Sequence, residues 1–232
     1  MEGANVKKLV IIGASGHGKV AADIAVKNGY EDIVFLDDDE KVLECSGFPV
    51  IGKTEKAQYM DGDMIVAIGN AGVRERIQSR LKTVILIHPS AVISRRVQIG
   101  SGTVVMAGAV INSDVQIGDD RIINTGATVD HDCVIDDYVH ISVGAHVAGA
   151  CEIGKRTWVG AGATVSNNVE LCRDCTIGAG TVVIKKINHP GTYIGVPAKE
   201  KTMSKSRLTR GGRLHIKMEE PLLLMRCRRR AA

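Results

Sequence analysis

From residue 87 to residue 183, every sixth residue is isoleucine, valine or leucine. A period of six matches neither the 3.6-residue turn of an α-helix nor the two-residue alternation of a strand. It is typical of a parallel β-helix, in which each six-residue rung is one short strand followed by a corner. The column therefore predicts a prism built from Ile87, Ile93, Ile99, Val105, Ile111, Ile117, Ile123, Val129, Ile135, Ile141, Val147, Ile153, Val159, Val165, Leu171, Ile177 and Val183.

A second column supports the same architecture. The residue two positions before each anchor should also point inward, because side chains on one face of a strand recur with period two. From Val97 to Ile187 these positions hold small or aliphatic residues, apart from Arg121. Three rungs would close one triangular coil of eighteen residues. We expect the glycines that follow several anchors, such as Gly100 and Gly118, to supply the backbone freedom of the corners.

The cysteines do not predict a disulfide framework or a zinc site. Cys133, Cys151 and Cys175 fall in the inward column, where cysteine packs as a compact hydrophobe. Cys172 and Cys175 form a single CxxC, whereas a zinc site needs four ligands. No bound metal is expected.

Composition and charge exclude several classes of protein. No apolar run is long enough to predict a membrane span, and the start of the chain does not read as a secretory signal, so we expect a cytoplasmic protein. The net charge is +4, but the basic excess is concentrated after residue 199. The remainder is mildly acidic, which argues against a nucleic-acid partner.

The first part of the chain has the pattern of a small α/β domain. Apolar strands are predicted at 7–13, 33–39, 64–70 and 83–88, and helical stretches follow the first and third of them. This alternation predicts a small parallel sheet. The predicted domains are residues 1–86 (α/β, nucleotide-sugar binding), 87–187 (β-helix), 188–202 (closing loop and cap) and 203–232 (a basic tail, disordered or a helical interaction segment).

A glycine-rich turn joins the first strand to the first helix. Backbone N–H groups at such a turn and at a helix N-terminus favour an anion, most often a phosphate. Two acids at the tip of the second strand suit hydrogen bonding to a ribose or base. Four strands make half a dinucleotide-binding sheet, so a nucleotide-linked substrate fits better than NAD, although the turn could also serve only to reverse the chain. The predicted binding residues here are Gly13, Ser15, Gly16, His17, Gly18, Asp37 and Asp38.

The middle of the β-helix carries a histidine between two acids. His131 lies on the outward side of a corner, and Gly149 follows it by one full coil. An extended ligand could therefore pass close to this imidazole, and a neighbouring carboxylate would orient it as a general base. A structural or surface role and a metal site are the alternatives. His140 and His146 are one rung apart and should face different sides of the prism.

Several motifs together resemble a known family. IIGASGHGKVAADIA, FLDDDEK, VAIGN, LIHPSAVIS, NTGATVDHDCVIDDYVHISVGAHVAG and YIGVPAK are similar to the sugar acyltransferases of the left-handed β-helix superfamily. The closest resemblance is to the acetyl-CoA-dependent N-acetyltransferases of UDP-4-amino-sugars in bacillosamine biosynthesis, and sialic acid O-acetyltransferases are close relatives. The resemblance implies a left-handed coil and a homotrimer with active sites between neighbouring prisms.

The resemblance also implies roles for particular residues. His131 matches the catalytic base, and Asp132 replaces the glutamate that commonly follows it. His140 matches a histidine at the thioester of acetyl-CoA. Coenzyme-binding positions are matched by Asn124 and by the backbone at Gly149, Gly178 and Ala179; nucleotide-sugar positions are matched by Gly16, His17, Asp37, Asp38 and Asn70.

The predicted activity is acetyl transfer from acetyl-CoA to the C4 amine of a UDP-4-amino-4,6-dideoxy-N-acetyl-sugar, with His131 as the base. O-acetylation of a sialic acid or another sugar is the first alternative. A metal hydratase of the β-helix carbonic anhydrase type is a more distant one, since that family has an HxxxxH pair and His140 and His146 are six apart. A non-catalytic scaffold is the third.

Overall fold

The structure is a computed structural model that describes residues 6–201. It begins with a small α/β unit and continues as a parallel β-solenoid, as the two sequence patterns predict. The predicted basic tail at 203–232 lies outside the described residues.

The α/β unit contains a three-stranded parallel sheet in the order β2-β1-β5. Asparagine lies at an end of each helix: α1 ends before Asn28, and the side chain of Asn70 caps the start of α2 by accepting from the backbone N–H of Val73. The elements are β1 (Lys8–Ile12), α1 (Gly16–Lys27), β2 (Asp32–Leu36), β3 (Glu44–Cys45), β4 (Phe48–Pro49), a 3₁₀ helix (Thr54–Tyr59), β5 (Asp63–Val66) and α2 (Ala71–Gln78).

The prediction that residues 83–88 form a fourth strand of this sheet is wrong. Val84 donates one backbone hydrogen bond to the carbonyl of Met64, but β6 (Leu86–Ile87) pairs with residues 104–105 of the solenoid. The apolar stretch 83–88 therefore begins the first coil, because its backbone groups find their partners one coil further along. A sequence pattern shows that a strand is buried and does not show which sheet it joins.

The solenoid has three faces, each a parallel sheet of short strands. The first face contains β6, β9 (Val104–Val105), β12 (Ile122–Ile123), β15 (His140–Ile141), β18 (Trp158–Val159), β21 (Cys175–Ile177), β23 (Gly191–Ile194) and β24 (Lys199–Glu200), the last pairing antiparallel. The second face contains β7 (Val92–Ile93), β10 (Val110–Ile111), β13 (Thr128–Val129), β16 (His146–Val147), β19 (Thr164–Val165) and β22 (Val182–Val183). The third contains β8 (Gln98–Ile99), β11 (Gln116–Ile117), β14 (Val134–Ile135), β17 (Glu152–Ile153) and β20 (Glu170–Leu171).

The interior follows both predicted columns. From Val105 onward the anchors are almost fully buried, and Cys133, Cys151 and Cys175 are buried between them. Arg121 is also buried, and it donates to the carbonyls of Ile135 and Asp136 on the next coil. A charged side chain is tolerated there because backbone acceptors satisfy its N–H groups.

The prediction that the glycines directly after the anchors form the corners is wrong. From Gly102 to Gly180, a left-handed backbone occurs three residues after each anchor, and these positions include Asp120 and Asp132. The glycines directly after the anchors have ordinary backbone angles. At Gly154, for example, an added Cβ would lie 2.5 Å from the backbone nitrogen of Arg173, so these glycines are needed for close approach of neighbouring coils.

The α/β unit packs on the first face of the solenoid. Side chains of α1 and β1 share a core with Leu86, Val104 and Ile122 of that face. Arg74 of α2 joins the two parts: its buried guanidinium donates to the carbonyls of Ile68, Gly69, Asp120 and Tyr138. The loop that follows β5 is thereby held against the solenoid.

Candidate functional site

The corner between the second and third faces carries His131 and its two acids. Asp132 occupies the left-handed corner position, which aspartate tolerates better than most residues. From there its Oδ2 lies 2.7 Å from Nδ1 of His131. Asp130 instead accepts from the backbone N–H of His131 at 2.8 Å and from the Nδ2 amide of Asn112 at 2.7 Å. Asp132 therefore orients the ring, and Asp130 orients the backbone that carries it.

The environment of His131 suits a base. The hydrogen bond to Asp132 raises the pKa of His131 above its usual value, and the charge of Asp130 acts in the same direction. With Nδ1 donating to Asp132, Nε2 carries the free lone pair. Gly149 lies against the ring: a Cβ built on it would be 2.7 Å from both Cε1 and Nε2. The absence of a side chain at Gly149 is what lets His131 hold this position.

His140 lies on the first face, in a very different environment. Burial, together with the charges of Arg74 and His17, lowers the pKa of His140 to about 3, so the imidazole is neutral. Its Nε2 is 3.1 Å from Nδ2 of Asn124, and its ring stacks against Trp158 with centroids 6.2 Å apart. His146 lies on the second face, so it faces a different side of the prism from His140, as its rung position predicts. Its Nδ1 is 2.9 Å from the hydroxyl of Thr128.

The glycine-rich turn and the second-strand acids open on a cavity of about 380 Å³. Asp37 accepts from the N–H groups of Ala14 and Asp39, and Asp38 accepts from the backbone and hydroxyl of Thr54. The two acids therefore line the cavity and also stabilise the loops around it through these hydrogen bonds. Arg76 and Arg80 also line this cavity. Neither was predicted from the sequence: Arg76 lies in α2 and Arg80 follows the end of that helix, so no regular spacing marks the pair.

The other residues predicted to bind the nucleotide sugar lie elsewhere. Gly16 and Gly18 belong to α1, and Gly18 packs too closely against the carbonyl of Gly13 to accept a side chain. His17 does not line the cavity: its Nε2 is buried without a partner in the described structure, and burial lowers its pKa to about 4. Asn70 lines a second cleft of about 620 Å³, together with His140 and Trp158.

The predicted coenzyme residues fall on two corners of the prism. Asn124 follows β12, and Gly178 and Ala179 follow β21, so all three lie at the corner between the first and second faces. Gly149 lies with His131 at the corner between the second and third faces. A single prism cannot bring the two corners together, because the whole width of the second face separates them.

Among residues 6–201, no group of three or more histidine, cysteine or acidic side chains could hold a metal ion. No helix there is both long and apolar enough to cross a membrane.

Comparisons with known proteins identify both parts of the chain. Residues 8–81 match the PglD N-terminal domain, and residues 150–185 match the bacterial transferase hexapeptide repeats. UDP-N-acetylbacillosamine N-acetyltransferase from Bacillus subtilis (strain 168) is 37% identical over 113 residues, which are 44% of this chain and 52% of that protein. The match thus spans about half the length of that curated relative.

Solved structures are similar over a longer range. The acetyltransferase domain of PglB from Neisseria gonorrhoeae FA1090, in complex with acetyl coenzyme A, is 42% identical with a TM-score of 0.81; the match covers 84% of this chain and 99% of that one. PerB from Caulobacter crescentus, in complex with CoA and GDP-perosamine, is 36% identical with a TM-score of 0.81, and the match covers 85% and 98%.

Proposed function

This chain belongs to the family of hexapeptide-repeat sugar acetyltransferases, and we propose that it transfers an acetyl group from acetyl-CoA to the amine of a nucleotide-linked amino sugar. The coenzyme in the PglB structure and the coenzyme and nucleotide amino sugar in the PerB structure support this substrate pair. The finer proposal is a UDP-4-amino-4,6-dideoxy-N-acetyl-sugar, acetylated at its C4 amine; it is supported by the Bacillus subtilis relative.

The observation that carries the proposal is the His131–Asp132 pair beneath Gly149. The sugar amine attacks the carbonyl carbon of the thioester, and Nε2 of His131 accepts a proton from that nitrogen. The carbon–sulfur bond then breaks, CoA leaves as a thiolate, and the imidazolium returns a proton to it. Such general-base catalysis typically contributes about 10²–10⁴ in rate. Transfer is direct, without a covalent enzyme intermediate.

The oxyanion of the tetrahedral intermediate needs a hydrogen-bond donor. The neutral imidazole of His140 is one candidate, and the backbone N–H of Gly149 is the other. Loss of one such donor typically costs about 10²–10³ in rate.

The cavity beside the glycine-rich turn is the proposed nucleotide site. Its wall combines Gly13 and Ser15 of the turn, the acids Asp37 and Asp38, and two arginines, Arg76 and Arg80. Carboxylates suit ribose hydroxyls and base N–H groups, and arginine suits phosphate oxygens. This set of groups fits a nucleoside diphosphate.

A homotrimer would complete the site. The two corners that carry the proposed base and coenzyme residues lie at opposite edges of the second face. The outward strand residues of that face include no acid, lysine or arginine and consist of Val92, Val110, Thr128, His146, Thr164 and Val182. The third face instead carries Glu152 and Glu170. A weakly polar second face, turned toward neighbouring copies, would bring the two kinds of corner together.

The test is product analysis by mass spectrometry after incubation with acetyl-CoA and candidate acceptors. We expect N-acetylated UDP-4-amino-sugar, in preference to an acetylated free sialic acid, and a trimer by light scattering. His131→Ala should lower turnover by about 10² or more while the oligomer remains folded. Near-normal turnover in His131→Ala would refute the assignment of the base, and O-acetylated sialic acid as the main product would refute the acceptor.

A further inference from the structure

Asn124 has a defined orientation that depends on its neighbour. The backbone N–H of Thr125 donates to Oδ1 of Asn124 at 2.8 Å. An N–H group can only donate, so the atom it meets is the amide oxygen, and the amide nitrogen must face the other way. The backbone of Asn124 is itself held by hydrogen bonds to Ile141 and Ala127 on the neighbouring strand and turn.

This orientation determines the tautomer of His140. The nitrogen facing Nε2 of His140, at 3.1 Å, is the Nδ2 of Asn124, which is a donor without acceptor capacity. Nε2 must therefore accept, and a neutral imidazole that accepts at Nε2 carries its proton on Nδ1. We propose that Asn124 is a positioning residue that keeps the proton of His140 on Nδ1, so that His140 serves the reaction as a hydrogen-bond donor and not as a base.

The surroundings of His140 support a neutral ring. Burial is the main cause of its lowered pKa, and the charges of Arg74 and His17 also disfavour a second proton. The ring of Trp158 stacks on it at an interplanar angle of 23° and is itself anchored by its Nε1–H to the hydroxyl of Ser142. The ring can therefore neither become charged at ordinary pH nor rotate freely, and the orientation set by Asn124 is retained.

The division of work between the two histidines follows from this contrast. His131 has an acid on Nδ1 and a free Nε2, so it accepts a proton. His140 has a donor on Nε2 and its proton on Nδ1, so it donates a hydrogen bond. This inference rests on the proposed acetyl transfer for its catalytic consequence, whereas the tautomer itself is a property of the protein without substrate.

The experiment measures the tautomer directly in the full-length protein. Two-bond ¹H–¹⁵N correlation spectra of histidine-labelled protein distinguish a protonated from an unprotonated ring nitrogen, and a His140→Gln spectrum assigns the signal. We expect His140 to be protonated at Nδ1 and unprotonated at Nε2. In Asn124→Asp, a carboxylate replaces the donor, so the proton should move to Nε2 and acetyl transfer should fall about 10²-fold, as for loss of one oxyanion donor.

A matched control and a second variant separate this effect from general damage. Gln116→Glu makes the same amide-to-carboxylate change on the third face, and it should leave both the tautomer and the rate unchanged. Asn124→Ala, which removes the donor without adding an acceptor, should give a mixture of tautomers. Protonation of Nε2 in the wild-type protein, or Asn124→Asp with the wild-type tautomer or turnover, would overturn the proposal. Failure of every acceptor to be acetylated, with the tautomer as expected, would refute the proposed function instead.

Discussion

Gly149→Ala is the substitution that tests the geometry of the base most directly. The new methyl group would lie 2.7 Å from Cε1 and Nε2 of His131. Carbon atoms in contact normally lie about 3.5–4.0 Å apart, so the ring must retreat by roughly 0.8 Å or more. That movement would lengthen or break the 2.7 Å hydrogen bond to Asp132. A displacement of about 1 Å at a catalytic group can cost about 10² in rate, which is the loss we expect in kcat/KM.

The stability of Gly149→Ala should change little. Gly149 does not have a left-handed backbone, so alanine introduces no backbone strain there. His131 is half exposed and can swing into solvent. The expected change in the free energy of unfolding is within about 1 kcal/mol. The backbone N–H at 149, the second candidate donor to the oxyanion, is retained in this variant.

The assay combines thiol release from acetyl-CoA, thermal unfolding and the NMR pKa of His131. Gly154→Ala is the matched control, because its methyl group would meet only backbone atoms, including the nitrogen of Arg173 at 2.5 Å. It should lower the free energy of unfolding by about 1–3 kcal/mol and keep turnover per folded molecule. Wild-type kcat/KM in Gly149→Ala, with the pKa of His131 still raised, would refute the view that the ring works in this position.

Three further predictions follow from the site. Asp132→Asn should remove the main cause of the raised pKa of His131, so the acid limb of the pH–rate profile should move to lower pH while the plateau rate falls; kcat/KM measured against pH checks this. Because burial lowers the pKa of His17 to about 4 from an unfolded value of 6.5, the unfolded state binds a proton that the folded state does not as pH falls below 6.5. His17 should therefore contribute a fall of about 1.4 kcal/mol per pH unit in the free energy of unfolding until about pH 4, and buried His140 should contribute a similar fall over the same range. His17→Gln should remove the contribution of His17 from this slope, as measured by denaturant titration. Arg74→Met should lower the free energy of unfolding by about 3 kcal/mol or more, because buried carbonyls lose their hydrogen-bond donor; thermal unfolding measures this effect. It should also raise the pKa of His140, because the positive charge of Arg74 is lost, and NMR titration measures that change.

Much of the solenoid could be predicted because its contacts are regular in sequence. Each rung pairs with the rung eighteen residues away, as Ile122 does with His140. A register that repeats along the chain lets a single column assign inward and outward positions, and this placed the cysteines inside and His131 beneath Gly149. Asp132 also had a local signal, since it directly follows His131 in the chain.

The arrangement around His140 had no such signal. Arg74 and His17 reach this histidine only because the α/β unit packs on the first face of the solenoid, and both residues lie outside the six-residue repeat that begins at Ile87. The same packing explains why the stretch at 83–88, predicted to join the small sheet, pairs with the solenoid strand at 104–105 instead. Asn70 and the acids Asp37 and Asp38, which were predicted to bind the same nucleotide sugar, lie in different places: Asn70 lines the cleft beside His140, and the two acids line the separate cavity.

The sequence by itself determined the prism, its inward and outward positions and the acid-flanked imidazole at a corner, because these depend on short-range periodicity and on residues next to each other in the chain. The tertiary structure alone decided which groups share an environment, because burial and the fields of distant charges depend on how two differently built parts pack together. Two histidines nine residues apart therefore have opposite properties: His131 is exposed with a raised pKa, and His140 is buried with a pKa of about 3.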